Sequence, residues 1–393
     1  MSNQWISTTL KSVTSKIGSG ATPRGGASVY VDHGAAFIRS QNVYDYKFAA
    51  TDIARLTEEA AHQLRSVAVA PKDVLICITG ESVTRTAMVD DAILPAHVSQ
   101  HVAIVRPNAD VIDPHFLLYS LLNPEIKASL NSISESGATR RAITKGDLDN
   151  LEITLPPMPE QRAIAKVLMD VDNLILTNER LSADLDAISG AVLDSVADRT
   201  RLGSFAQQVK VKSARPSGTV DHYSLPAFDD GQLPETIDGS EIQSNKLMLS
   251  RPVTLVSRLN PRIPRNWMVY PSGKVAVAST EFVVLEGKDC SPELVYAATQ
   301  TDMFRSGMKE RASGTTGSHQ RADKDGVVDI EVPDARALDP DQCDSISQSV
   351  RASYELRVEN RELVQARNTL LPLLMSGKIS PNSAAKLLED VTK

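Results

Sequence analysis

Apolar residues along this chain form two kinds of pattern, and each kind occurs twice. Val74-Leu75-Ile76-Cys77-Ile78 and Val102-Ala103-Ile104-Val105 are short uninterrupted runs that predict buried strands, the second closed by Arg106-Pro107-Asn108. Far longer is the seam Ile164, Val167, Val171, Leu174, Asn178, Leu181, Leu185, Ile188, Val192, which steps alternately by 3 and 4 residues, the heptad spacing of a coiled-coil helix. Adding 182 to each number gives Ile346, Ser349, Ser353, Leu356, Asn360, Leu363, Arg367, Leu370 and Leu374, a weaker seam with asparagine again at its midpoint. Thr254-Leu255-Val256-Ser257 and Phe282-Val283-Val284-Leu285 repeat the two strands at an offset of 180. Leu202-Gly203-Ser204-Phe205 restarts what Leu10-Lys11-Ser12-Val13 began. Leu151-Glu152-Ile153-Thr154-Leu155-Pro156 recurs as Val328-Asp329-Ile330-Glu331-Val332-Pro333, an offset of 177 shared by Ser136-Gly137-Ala138-Thr139 and Ser313-Gly314-Thr315-Thr316. Drifting offsets point to loop insertions in a diverged duplication.

Local signals mark the helix starts. Thr57 before Glu58-Glu59, Asp113 before Pro114 and Ser291 before Pro292 each put a capping oxygen ahead of a helix. Pro156-Pro157-Met158-Pro159 is a stiff break directly before the first heptad helix. The expectation is therefore an α+β, mixed α/β chain. Two similar globular domains, 1–157 and 201–335, each lead into a long helix, over 158–200 and within 336–393, where a C-terminal tail follows. A heptad seam is stable only when buried, and the obvious partner is the other copy; orientation stays open. In an antiparallel pair Asn178 and Asn360 come close to one level, where buried asparagines penalise slipped registers. The plainer alternative leaves both in solvent, with each helix packed on its own domain. About 30 heptad residues span roughly 45 Å, a little over one turn of B-DNA, so modules near the two ends could address one face of a duplex.

Composition narrows the function. No apolar run approaches the roughly 20 residues of a membrane helix, and Met1-Ser2-Asn3-Gln4-Trp5 does not open a secretory signal. Cys77, Cys290 and Cys343 are few and scattered, so a reducing cytoplasm is the expected setting, without a disulfide framework or zinc site. The net charge of −7 disfavours a non-specific nucleic-acid coat. Yet no acid lies between Glu241 and Glu281, a window holding Lys246, Arg251, Arg258, Arg262, Arg265 and Lys274, and such a stripe can hold phosphates. The first heptad helix is in contrast acidic.

Catalytic signatures are missing. There is no phosphate-loop motif. His97 and His101 have helical spacing, but no third ligand completes a metal set and His101 heads a strand. Glu286-Gly287-Lys288 is only half a nuclease motif, and neither Asn123-Pro124-Glu125 nor Asn260-Pro261-Arg262 supplies an amino-methyltransferase motif. What remains are polar loop clusters at matching places. Thr22, Arg24, Arg39, Gln41, Arg85, Ser99, Gln100, His101, Arg140, Arg141 and Lys145 belong to the first copy. Lys212, Arg215, Arg258, Asn260, Arg262, Arg265, Thr280, His319, Gln320 and Arg321 belong to the second. These side-chain types read base edges or hold phosphates, although any one of them could be an ordinary solvated loop residue.

A family resemblance now attaches to particular residues. Leu155-Pro156-Pro157-Met158-Pro159-Glu160-Gln161-Arg162-Ala163-Ile164-Ala165 resembles the junction of target-recognition domain and conserved helix in the DNA-specificity subunits of type I restriction–modification systems. Leu370-Leu371-Pro372-Leu373-Leu374-Met375-Ser376-Gly377-Lys378-Ile379 resembles the end of that family's second conserved helix. Gly18 to Pro23 and Ser99-Gln100-His101-Val102 are similar to its N-terminal turn and central strand entry. The second junction departs from the pattern, keeping only Asp341-Gln342. The resemblance implies a non-catalytic subunit with two target-recognition domains, each reading half of a bipartite site in double-stranded DNA. Antiparallel helices related by a pseudo-twofold repeat would set the spacer between the half-sites. Two methyltransferase subunits would dock on the chain and bring S-adenosylmethionine to flipped-out adenines. A restriction–translocase subunit would bring ATP and Mg2+ where the system also cuts, and this chain itself would bind no cofactor. The residues alone leave open an orphan or methylation-only specificity subunit, and a scaffold whose two domains bind proteins.

Overall fold

The computed structural model describes residues 5–136, 141–271, 273–313 and 320–391. The chain divides into two units, residues 1–174 with 363–393 and residues 175–362. Both boundaries fall inside the long helices, Met158–Asp194 and Pro340–Met375, so each helix lends one half to each unit. No helix among the described residues is long and apolar enough to cross a membrane.

The first unit is built on an antiparallel sheet ordered Thr14–Ser19, Val102–Pro107, Val74–Cys77, Thr86–Met88. Its central strands are the two apolar runs, and Val74, Leu75, Ile76 and Cys77 are wholly buried, as strands covered on both faces require. A second sheet pairs Ala96–Val98 in parallel with Ala35–Ile38, then adds Ala54–Leu56 and Tyr30–Val31. The expected caps are in place. Thr57 Oγ1 accepts from the Ala60 amide at 3.3 Å, and Asp113 Oδ1 accepts from His115 and Phe116 to start Pro114–Leu122. The second unit repeats the order with Ala206–Gln208, Phe282–Gly287, Val253–Ser257 and Asn266–Val269. Its other sheet again holds a parallel pair, Thr219–Tyr223 with Val275–Ala278, and Ser291 caps Pro292–Gln300.

Strand register tests the repeat directly. Val102 faces Cys77, and Phe282 faces Ser257, so the offset of 180 holds on both strands. The Leu-Pro strand needs a correction. The Leu10 amide donates to Leu151 O, and its counterpart Leu202 donates to Ile330 O. Leu151 therefore corresponds to Ile330, an offset of 179 in place of 177. A slip of two residues preserves which side chains face inward, so the apolar alternation could not reveal it.

The proline-flanked junction has a physical role. Gln161, 1% exposed, donates to Pro156 O at 2.9 Å and accepts from the Asp113 amide at 2.9 Å, tying the helix start to the sheet's following helix. Trp5 Nε1 donates to Glu160 at 3.2 Å. At the second helix Gln342 and Asp339 exchange backbone-to-side-chain bonds at 3.0 and 2.8 Å, a different solution to the same capping problem.

The long helices run antiparallel. In the second unit Asn360 Nδ2 donates to Ile175 O at 3.0 Å, Asn178 Nδ2 to Glu359 at 3.0 Å, and Ser353 Oγ lies 2.9 Å from Ser182 O. Partner numbers fall along one helix as they rise along the other. The two asparagines do share a level at the interface, but each bonds to the opposite helix through another group, and no mutual Asn178–Asn360 bond is present. The seam itself departs from the heptad past Asn178. Leu181 and Ile188 are 46% and 53% exposed, whereas Ser182, Ser189 and Leu193 are buried. A straight helix drifts about 20° per heptad, so after two heptads the inward face moves one column along. At Ser182 the second helix comes close enough for the Ser353 hydroxyl to donate to the Ser182 carbonyl.

Each unit fastens its half-pair with a tyrosine, an aspartate and an arginine. In the first, Arg367 Nη1 donates to Asp172 at 2.7 Å, Tyr119 donates its hydroxyl to the same carboxylate at 2.6 Å, and Tyr46 stacks on the guanidinium at 3.4 Å. Burial pushes the Asp172 carboxyl above its usual range despite the arginine. In the second, Asp186 accepts from Arg357 and, at 3.0 Å, from Tyr296. Removing one partner of such a pair strands the other charge, which costs roughly 3–5 kcal/mol. Asp172→Ala is expected to lower the Tm by about 10 °C. Asp170→Ala, whose ion pair with Lys166 is solvent-exposed, should leave it within a degree or two. Equal melting of the two variants would remove the buried pair from the stability argument.

Candidate nucleic-acid interface

In both units the loop leaving the central strand is held by the same three backbone bonds. In the first, the Ile78 amide donates to His101 O, Gly80 to Arg141 O and Ile143 to Ile78 O, at 3.0, 3.0 and 2.8 Å. In the second, Arg258 donates to Glu281 O, Asn260 to Gln320 O and Ala322 to Arg258 O, at 3.0, 2.9 and 3.0 Å. Gly80 and Asn260 occupy one position and share a left-handed backbone, φ 77° and 51°, which glycine and asparagine tolerate best. The scaffold is common; the side chains on it are not.

The first unit presents a chain of polar groups. Thr22 Oγ1 donates to Gln100 Oε1 at 2.5 Å, Gln100 Nε2 meets His101 Nε2 at 3.0 Å, and His101 Nδ1 meets Thr79 Oγ1 at 2.6 Å. With the amide donating, His101 is the Nδ1–H tautomer, and the Thr79 hydroxyl keeps its own hydrogen for a group outside. Thr22, Arg24, Gln41, Gln100 and His101 are exposed. Ser99 is not: it is 3% exposed, and its hydroxyl is buried, so it positions the turn and does not present a reading group. Arg39 Nε is likewise buried. Arg141 donates to Asn131 Oδ1 at 2.9 Å and pairs with Glu135. Lys145 is occupied locally by Asp149. His97, once a possible metal partner for His101, lies buried inside a strand, so the two share no helix face.

The second unit puts Glu281 where the first has His101. Arg321 grips it with two bonds, at 3.0 and 2.9 Å, and Arg258 lies 3.9 Å away. The Arg321 guanidinium holds the Glu281 carboxyl below the usual range. This overturns the picture of an unopposed basic stripe. The window lacks acids in sequence, but the fold imports them. Arg251 pairs with Glu286, Arg265 with Asp229 at 2.7 and 2.8 Å, and Lys274 with Asp221 at 3.9 Å. Arg262, exposed, has no ion pair among the described residues. Arg215 is held by Gln243, while Lys212 and Thr280 are exposed. Arg140 and His319 lie outside the described residues. Glu281 itself went unread in the sequence; the offset of 180 from His101 was the signal that could have found it.

Residues 26–187 match the family model described as the type I restriction modification DNA specificity domain. The chain is 27% identical over 125 residues, 32% of its own length and 24% of the relative's, to the type I restriction enzyme MjaVIII specificity subunit of Methanocaldococcus jannaschii. It is 24% identical over 160 residues, 40% of its length and 34% of the relative's, to the type I restriction enzyme HindI specificity subunit of Haemophilus influenzae. The chain thus spans about a quarter to a third of the length of the curated relatives it matches. In fold it is similar to the type I restriction–modification S subunit from M. genitalium, with a TM-score of 0.53 at 16% identity, covering 95% of this chain and 96% of that one.

The ion pairs rank the arginines. Arg262→Ala is expected to weaken duplex DNA binding and to lower the salt slope by about one contact, roughly 0.9 in log–log units, without lowering the Tm. Arg265→Ala removes a cation already neutralised by Asp229 and should change the slope less. Equal slopes in both variants and the parent would take this stripe out of the DNA contact.

Proposed function

We infer that this chain belongs to the type I restriction–modification DNA-specificity family and is a sequence-specific DNA-binding subunit with two readers. Each unit reads one half of a bipartite duplex site, and the antiparallel helix pair sets the unread spacer between the halves. The observation that carries this reading is the paired edge: three matching backbone bonds in each unit, bearing Thr79, His101 and Arg141 in one and Arg258, Glu281, Gln320 and Arg321 in the other. Conserved backbone with divergent polar side chains is what two readers of different sequences need.

The chemistry belongs to partners. Two methyltransferase subunits carry S-adenosylmethionine, and a restriction–translocase subunit carries ATP and Mg2+ where cutting accompanies methylation. This chain contributes no catalytic group in that scheme, and works in the cytoplasm beside the DNA. Leu181 and Ile188, exposed on the first long helix, give a methyltransferase subunit apolar anchors that the heptad seam leaves unused.

Adenine-methylation mapping tests the whole reading. A methylation-free host expressing this chain with its methyltransferase subunit should acquire one two-part motif with a fixed gap. Inserting one heptad into both helices adds roughly 10 Å, so the gap should grow by about three base pairs while both half-sites stay unchanged. Altered half-sites with an unchanged gap would show that the helices are no ruler.

A further inference from the structure

Arg85 and Arg265 occupy one structural position. The Cys77 amide donates to Arg85 O and the Ser257 amide to Arg265 O, at 2.8 and 3.1 Å, on strands matched at an offset of 180. Each arginine closes the loop that carries its unit's reading edge. Their holders stand at matching distances along the chain but in unlike elements, Tyr44 at the end of the strand Val43–Tyr44 and Asp229 at the end of the helix Leu225–Asp229. The Ser99 amide donates to Ile38 O and the Ser279 amide to Tyr223 O, which aligns Ile38 with Tyr223. Six residues further on stand Tyr44 and Asp229. Tyr44 lies under the Arg85 guanidinium, 4.8 Å from ring centroid to Cζ. Asp229 takes Nε and Nη2 of Arg265 in a two-point bond. One position thus shows two postures.

The postures differ in what they leave free. An aromatic ring contacts the flat face of a guanidinium, so the in-plane N–H donors remain available. Among the described residues the Arg85 guanidinium has no ion pair. A carboxylate takes two donors on one edge of the plane, the fork that a guanine O6/N7 pair would otherwise occupy. Tyr44 is 42% exposed, so the ring and its cation reach solvent together.

We propose that Arg85 makes a bidentate contact to a guanine in the first unit's half-site, with Tyr44 as its positioning residue, and that Asp229 withholds Arg265 from the equivalent contact in the second. The proposal rests on the two-reader function above and adds a base to one of its half-sites. It also makes the two edges unequal: the same scaffold offers a free fork on one side and a closed one on the other.

The test uses the full chain with its methyltransferase subunit in a methylation-free host. If the parent yields no two-part motif, the two-reader function fails, before the arginines are in question. Given a parent motif, Arg85→Gln is expected to make one guanine position degenerate, a loss of roughly 5- to 150-fold in discrimination there, with the other half-site intact. The intact half-site also shows that the variant folds. Tyr44→Phe should keep the parent motif, and Tyr44→Asp should reproduce the Arg85→Gln result by closing the fork. Asp229→Tyr should add a guanine preference to the opposite half-site. An unchanged motif with uniformly weaker binding and a salt slope lower by about one in Arg85→Gln would make Arg85 a phosphate contact and overturn the proposal. So would Arg85→Gln and Asp229→Tyr acting on the same half-site.

Discussion

Register in the long helix pair is the constraint on which the rest depends. Helices of 37 and 36 residues packed on aliphatic seams would tolerate a slip of one heptad at little cost, because leucine replaces valine in the same hole. The buried polar groups remove that freedom. Arg367 is only 9% exposed and has one acceptable neighbourhood, between Asp172 and the Tyr46 ring. Slipped by one heptad it would leave Asp172 and the Tyr46 ring, to face the level of Ala165 in one direction and of Glu179 in the other. Asn178 and Asn360 act in the same way in the second unit, each finding an acceptor on the opposite helix. Because burial pushes the Asp172 carboxyl upward even beside its arginine, the pair is expensive to bury. Its value lies in excluding wrong registers more than in adding stability.

Much of the architecture was legible in the sequence because it is local. The apolar strands Val74–Cys77 and Val102–Pro107, the caps at Thr57, Asp113 and Ser291, and the duplication all follow from short stretches of chain. The details that escaped are non-local. The seam moves from Leu181 to Ser182 because helical drift accumulates over turns, and because a neighbouring helix rewards a small residue there. The acid-free window looked like a cationic stripe, yet Glu281 and Asp229 reach it through folding. Spacing along the chain cannot count charges that arrive from elsewhere. The same non-locality hid Asp229 as the partner of Arg265 and Tyr44 as the partner of Arg85, whereas Glu281 as the counterpart of His101 was within reach of the offset of 180.

The sequence therefore gathers the candidate residues but cannot rank them by exposure or by partner. Ser99 and Arg39 sit at the right loops and point polar atoms inward. Arg265 and Arg321 carry the right charge and spend it on carboxylates. Gln100 and His101 turned out to be links in one hydrogen-bonded chain, so altering either re-aims its neighbours.

The way the loop edge is built separates the identity of its side chains from the stability of the fold. Its shape is set by main-chain bonds, from Ile78 to His101 and Ile143 in one unit and from Arg258 to Glu281 and Ala322 in the other, and these do not consult the side chains. Backbone conformation restricts residue type at the left-handed positions, Gly80 and Thr84 in the first unit and Asn260 in the second. A histidine can therefore give way to a glutamate, or an arginine's aromatic support to a carboxylate, while the strands beneath keep their register. In such a scaffold the two copies can differ in their exposed side chains at little cost in folding, while the helix pair is constrained by its buried charges.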